Sequence, residues 1–148
     1  MRSGILQKIK EDMPVYAECG GLMYLSESIK GFEGKAFPMV SAVPLKVHMD
    51  RKHLTLRYVE IKTTAKTLLG PAGTTARGHE FHYSRIASNR YRGKPLYRGI
   101  NSAGEKFTEG FSNKNLLASY CHLHFKSNLL IPAYFVQACW DYSLLRKN

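Results

Sequence analysis

The 148-residue chain is short of acid: 11 Asp and Glu stand against 22 Lys and Arg, a formal net charge of +11. It has no apolar run near the roughly 18 residues that a membrane span needs, so no transmembrane helix and no membrane partner are expected. The N-terminus, Met1-Arg-Ser-Gly-Ile-Leu-Gln-Lys-Ile-Lys10, is periodic and charged and holds no apolar signal core, so a cytoplasmic protein is expected. Cysteine is scarce too. Three cysteines cannot all pair within one chain, and with no secretion signal they read as buried or reactive thiols rather than disulfides. There is no internal repeat, no low-complexity linker and no Gly-rich phosphate loop ending in Gly-Lys-Ser or Gly-Lys-Thr.

What is present is an ordinary globular mix, 44% hydrophobic and 11% aromatic, of a length that suits one domain. The basic excess raises a nucleic-acid or polyanion reading. The basic residues are scattered, however, and the densest stretch, Arg85-Ile-Ala-Ser-Asn-Arg-Tyr-Arg-Gly-Lys94, carries one interleaved aromatic, Tyr91. A solvated surface with a face toward an acidic partner accounts for it, and no nucleic-acid partner is expected.

Residues 3–11 place Ile5, Leu6 and Ile9 at helical spacing, and Met13-Pro14 ends that helix. Val15-Tyr16-Ala17 reads as a short buried strand. Glu18-Cys19-Gly20-Gly21 breaks sharply, and Leu22, Tyr24, Leu25 and Ile29 resume helical spacing as far as Gly31. The middle of the chain changes to a period of two. Strands are expected from Leu54 to Ile61, at Glu80 to Tyr83, and at Tyr97 to Ile100, Lys106 to Phe111 and Leu116 to Tyr120, with a loop at Gly70-Pro71-Ala72-Gly73. Pro132 opens a last helix whose apolar positions include Phe135, Val136, Cys139, Trp140 and Leu144. The fold class is α/β with a strand-rich middle.

Cys19 falls at a strand–turn–helix elbow. Such an elbow exposes a nucleophile at the strand end, and the helix N-terminus favours the thiolate, so a lowered thiol pKa is expected there. Gly20 and Gly21 permit the tight turn and present backbone N–H groups to an oxyanion. The logic is that of the Gly-x-Ser-x-Gly elbow with cysteine in place of serine. A structural cysteine beside a tight turn is the competing reading.

Three blocks decide between them. Pro14-Val-Tyr-Ala-Glu-Cys-Gly-Gly-Leu-Met-Tyr-Leu25 resembles the nucleophile segment of the cobyrinic acid a,c-diamide synthase family. Arg77-Gly-His-Glu-Phe-His-Tyr-Ser84 and Ala118-Ser-Tyr-Cys-His-Leu-His-Phe125 are similar to its second and third signatures, in the family's order. The resemblance implies a class I, triad-type glutamine amidotransferase domain of the cobyric-acid-synthase subtype, with a flavodoxin-like sheet. A sister enzyme that amidates nickel sirohydrochlorin has similar motifs and stays an alternative.

The resemblance implies Cys19 as nucleophile, the Gly20 N–H as oxyanion donor and His122 as base. Other triad glutaminases carry a glutamate two residues after the base; here that place is His124, which implies a Cys–His dyad or an orienting acid from elsewhere. His124 and Glu80 are the candidates for orienting or substrate positioning, with His79 and His82 as weaker ones. Arg51 is a candidate for the glutamine carboxylate, against a solvated-surface reading. Cys121-His-Leu-His124 lacks the spacing of a structural zinc site, so no metal is expected, and Cys121 is expected to pack in the core.

The family protein is longer than this chain. The resemblance implies an N-terminal ATP-binding domain, with ATP and magnesium bound there and no cofactor here. It also implies that residues 1–148 are one partial amidotransferase domain lacking its N-terminal part. Expected partners are glutamine, the ATP-binding domain or partner chain, and a tetrapyrrole polycarboxylate. The whole enzyme would amidate the a and c acetates of cobyrinic acid in cobalamin biosynthesis. Two other classes remain open: a non-catalytic, partner-binding remnant, and a basic nucleic-acid module.

Overall fold

A computed structural model describes residues 1–146. In chain order the elements are α1 (Arg2–Lys10), β1 (Val15–Glu18), α2 (Gly20–Leu25), β2 (Ser28–Lys30), β3 (Ala36–Pro38), β4 (Leu45–Met49), β5 (Thr55–Thr63), β6 (Thr75–His82), β7 (Ser84–Asn89), β8 (Tyr97–Asn101), β9 (Lys106–Glu109), β10 (Phe111–Asn113), β11 (Leu116–Ser119), β12 (His122–Leu123), a 3-10 turn (Phe125–Ser127) and α3 (Leu130–Leu145). The architecture is mixed α/β, with several sheets and few helices.

The described residues form three sheets, in the strand orders β1-β11-β10, β12-β6-β5-β8-β9 and β3-β2-β4-β7. The first holds the elbow. In it β1 and β11 run parallel, with Glu18 opposite Ser119, so both chains leave the sheet at the same edge. The other edge of β1 pairs with no strand among the described residues. All four residues of β11 are buried, as befits a strand covered on both faces. Leu117 enters a cluster with Ile61, Leu69, Leu96, Tyr97 and Ile131, while Leu116 and Ala118 enter another with Leu22, Leu25, Val43 and Phe111. The alternation of one strand thus divides the core in two.

Several expected elements shift. The helix after the elbow ends at Leu25, short of Gly31, and Ser28–Lys30 is a strand. Ser26 explains the stop: its hydroxyl donates to the Met23 carbonyl at 2.7 Å, and its backbone is extended at ψ 177. The strand expected over residues 106–111 divides at Gly110, whose φ is +87. The strand expected at residues 80–83 begins earlier, at Thr75, and β2, β3, β4, β7 and β12 were not foreseen. The last helix starts at Leu130, where the Asn128 side chain accepts the Leu130 N–H at 3.1 Å, and Pro132 sits in its first turn. It buries Ile131 and rests Phe135 and Ala138 on the core, but Val136 and Trp140 stay mostly exposed. Among the described residues no helix is long and apolar enough to cross a membrane.

Candidate active site

Two neighbouring parallel strands end side by side. In open α/β sheets such carboxyl ends are where ligands bind. Cys19 follows β1 directly. Its backbone takes φ 47 and ψ −103, a conformation that a side-chain-bearing residue adopts only when its surroundings impose it. They do so here. Its N–H donates to the Ser119 carbonyl at 2.8 Å, holding the turn to the end of β11, and its own carbonyl accepts the Met23 N–H at 3.0 Å, starting α2. At Gly21 an added Cβ would lie 3.1 Å from the Ala17 Cβ, so glycine lets α2 pack closely on its strand. At Gly20 an added Cβ would meet nothing within 4 Å, so the space beside that residue is open.

The Cys19 thiol is half-buried and donates to the Phe81 carbonyl at 3.7 Å. Its pKa is raised, contrary to the expected lowering. Burial is the largest cause; the Gly20 N–H pulls the other way, and the carboxylates of Glu18 and Glu80 add to the rise. A six-residue helix does not overcome desolvation. Cys19 therefore rests as a thiol, and attack by its sulfur would need a base.

His122 begins three residues after β11 ends. Tyr120 and Cys121 carry the chain out of the first sheet, and β12 joins the second, where His122 stands opposite His79 of β6. The two imidazoles stack at 4.9 Å with an interplanar angle of 12°. Phe81, whose carbonyl receives the Cys19 thiol, is two residues along β6 from His79, about 7 Å at strand rise. One strand thus holds both sulfur and imidazole in the same region. Among the described residues no hydrogen bond joins Cys19 directly to His122.

The acid beside His122 is one the sequence reading did not single out. Glu18 Oε2 lies 3.6 Å from His122 Nδ1. Its other oxygen, Oε1, accepts the Tyr16 hydroxyl at 2.5 Å and the Leu123 N–H at 2.7 Å. Tyr16 and Glu18 are two apart on a strand, so they share a face; that spacing was the available signal.

Glu80 sits elsewhere. It is buried on the opposite face of β6, where Arg57 grips it with two bonds of 3.0 and 3.1 Å and Cys121 donates its thiol at 3.2 Å. Burial raises its carboxyl, but His82 and Arg57 outweigh that and hold it at about 2. His82 stacks on Tyr120 at 3.9 Å. His124 is exposed at the start of the 3-10 turn, and its N–H donates to the Arg77 carbonyl at 2.9 Å. Arg51 is exposed and lies over the Phe32 ring, 5.0 Å from its centre.

Glu80, Glu109 and Cys121 bring three ligand-type atoms within 4.8 Å of one another. The set does not suit magnesium, which takes oxygen ligands in octahedral array. One donor is a thiol, pushed far up by burial and by Glu109 and Glu80, and one carboxylate is already held by a guanidinium. Cys121 is fully buried, as the sequence led us to expect.

Comparison with known proteins follows the same lines. A family profile describing a CobB/CobQ-like glutamine amidotransferase domain matches residues 1–129. The cobyrinate a,c-diamide synthase of Thermoplasma volcanium is 41% identical over 147 residues, 99% of this chain and 32% of its own length. The protein of that name from Leptospira interrogans is 39% identical over 131 residues, covering 87% of this chain and 29% of its own. That from Picrophilus torridus is 39% identical over 141 residues, 95% of this chain and 29% of its own. The chain spans about a third of the length of these relatives.

Proposed function

The chain belongs to the CobB/CobQ-like glutamine amidotransferase family, and from that premise we propose that it is the glutamine-hydrolysing part of an amidating ligase. The observation that carries the reading is Cys19 itself: a cysteine held at φ 47 on a strand-to-helix turn, beside the end of the strand that leads to His122.

Glutamine enters with its side-chain amide carbon over the Cys19 sulfur. His122 takes the thiol proton as sulfur bonds to that carbon, and the amide oxygen becomes an oxyanion. The Gly20 N–H, at the first turn of α2 and already beside the Cys19 sulfur, would donate to that charge. The His122 proton passes to the amide nitrogen, the C–N bond breaks and ammonia leaves, with a γ-glutamyl thioester on Cys19. Water then attacks the thioester while His122 takes its proton. Collapse expels the sulfur, His122 returns the proton to it, and glutamate is released.

Ammonia would be used outside these residues, in the further length that the relatives possess. ATP and magnesium are assigned there, and no step is routed through them here. The relatives' name supports the a and c carboxylates of cobyrinate, in cobalamin synthesis, as the acceptors. The three unpaired thiols agree with a reducing, cytoplasmic setting. The test is ammonia release from glutamine by the chain, alone and with an ATP-binding partner, beside Cys19→Ser. Activity that survives Cys19→Ser would overturn Cys19 as the nucleophile, and absence of activity under both conditions would favour a partner-binding remnant.

A further inference from the structure

A base that shuttles protons must keep one ring nitrogen protonated and turned away from the nucleophile. The usual device is a carboxylate at the other nitrogen. The position two residues beyond His122 is His124, which cannot serve as that carboxylate, and Glu80 is engaged by Arg57 and Cys121. The geometry points to Glu18, the residue immediately before the nucleophile, as the positioning residue of His122, acting through the Nδ1–H while Nε2 is left to exchange protons with Cys19 and glutamine. This rests on the glutaminase reading above.

The carboxylate is built into place from both sides. Tyr16 and Leu123 both donate to Oε1, which leaves Oε2 to face Nδ1 at 3.6 Å. Burial, the largest cause, and the neighbouring Tyr97 and Glu18 push the Tyr16 hydroxyl far above its ordinary range, so it stays a donor. The Leu123 N–H belongs to the residue after the base, so one amide ties the acid to the backbone that carries the imidazole. The separation of 3.6 Å is an ion-pair distance. A shift of about 0.7 Å closes it to an ordinary N–H···O bond, the tightening that catalytic contacts undergo when substrate fills the site. The arrangement moves the acid from the base's strand to the nucleophile's strand. The last residue of β1 and the one that follows it then supply two members of the triad, and β11 leads into the third.

The placement has a cost that makes it testable. A negative charge one residue from the sulfur opposes the thiolate. Removing that charge therefore disables the base yet does not hinder simple ionisation of the thiol.

The experiment compares wild type, Glu18→Gln, Glu18→Asp and Cys19→Ser in three measurements: glutamine turnover, alkylation of Cys19 by iodoacetamide at neutral pH, and the His122 tautomer by nitrogen NMR. Wild type should show the Nδ1–H tautomer. Glu18→Gln should lose that preference, with kcat lower by about 10²–10⁴-fold and KM within about threefold. Its alkylation rate should hold or rise. Glu18→Asp should recover part of kcat. The proposal is overturned if Glu18→Gln keeps wild-type kcat, if its tautomer is unchanged, or if turnover and alkylation fall together as they would for a merely structural residue. Failure of wild type to turn over glutamine in a Cys19-dependent way would sink the glutaminase reading instead, and the tautomer would still decide the role of Glu18.

Discussion

His122 occupies the space that a side chain at Gly78 would need. A Cβ at Gly78 would fall on the His122 carbonyl oxygen, 3.0 Å from its carbonyl carbon and 3.2 Å from the Leu123 Cα. These are backbone atoms, which cannot swing aside as a flexible side chain can. Glycine in the middle of β6 is therefore what lets β12 lie against it and bring the imidazole in.

Gly78→Ala should accordingly cost stability and activity together. Overpacking against backbone is expected to lower the unfolding free energy by about 2–3 kcal/mol. Glutamine turnover should fall more than that alone explains, because His122 is displaced. Urea unfolding beside ammonia release checks both, and a variant with wild-type midpoint and turnover would refute the steric account.

Glu80 and Arg57 form a pair whose loss should be felt at neutral pH. Glu80 is 3% exposed and Arg57 28%. Glu80→Gln leaves a guanidinium without its anion and should cost about 3 kcal/mol, the lower end for a broken buried pair because Arg57 keeps some solvent.

The same residue sets an acid limb. With its carboxyl held at about 2 in the folded chain, Glu80 stays ionised where an unfolded carboxyl takes up a proton. Its contribution is complete above the ordinary carboxyl range and is lost as pH falls through that range toward 2. Denaturant midpoints measured against pH should fall less steeply on the acid side for Glu80→Gln than for wild type.

Glu109 should act in the opposite direction. Its carboxyl is raised, by burial first and by the Glu80 charge, against the pull of the Tyr120 N–H. The folded chain keeps a proton that the unfolded chain releases, so this contribution is present below the ordinary carboxyl range and declines as pH rises through the folded value. Glu109→Gln should gain on wild type as the solution is made more alkaline. Equal pH dependence of the two proteins would count against a raised carboxyl.

The three thiols should separate by burial. Cys121 is fully buried, while Cys19 and Cys139 are partly exposed. Iodoacetamide should modify Cys19 and Cys139 and spare Cys121 in the native protein, as read by peptide mass mapping. Labelling of Cys19 should be slow at neutrality and climb with pH beyond the range of an ordinary thiol. Rapid labelling at neutral pH would mean that the helix N-terminus does win over desolvation.

The local sequence carried the elbow. A short apolar strand, Cys19, two glycines and a resumed helical period are chain-local signals, and a strand–turn–helix follows from them whatever lies elsewhere. The edges of β5, β8 and β11 were legible for the same reason, since alternation reports a strand with one covered face and a continuous apolar run reports one with two. Gly78 lay outside the strand expected at residues 80–83, and its close approach to the His122 backbone shows only in the folded chain. Glu18, 104 positions from His122, looked like the last residue of a strand. Only the parallel pairing of β1 with β11, and the crossing of β12 onto β6, set its carboxylate at the imidazole, while Glu80, the acid that the motif suggested, was turned the other way by the alternation of β6. The thiol behaved likewise: sequence placed it at a helix N-terminus, but its ionisation was settled by how much water and how much negative charge the folded chain left around it. Local order along the chain follows from short-range torsional and periodic preferences. Distances between charged groups, and the solvent between them, arise only when distant segments pack.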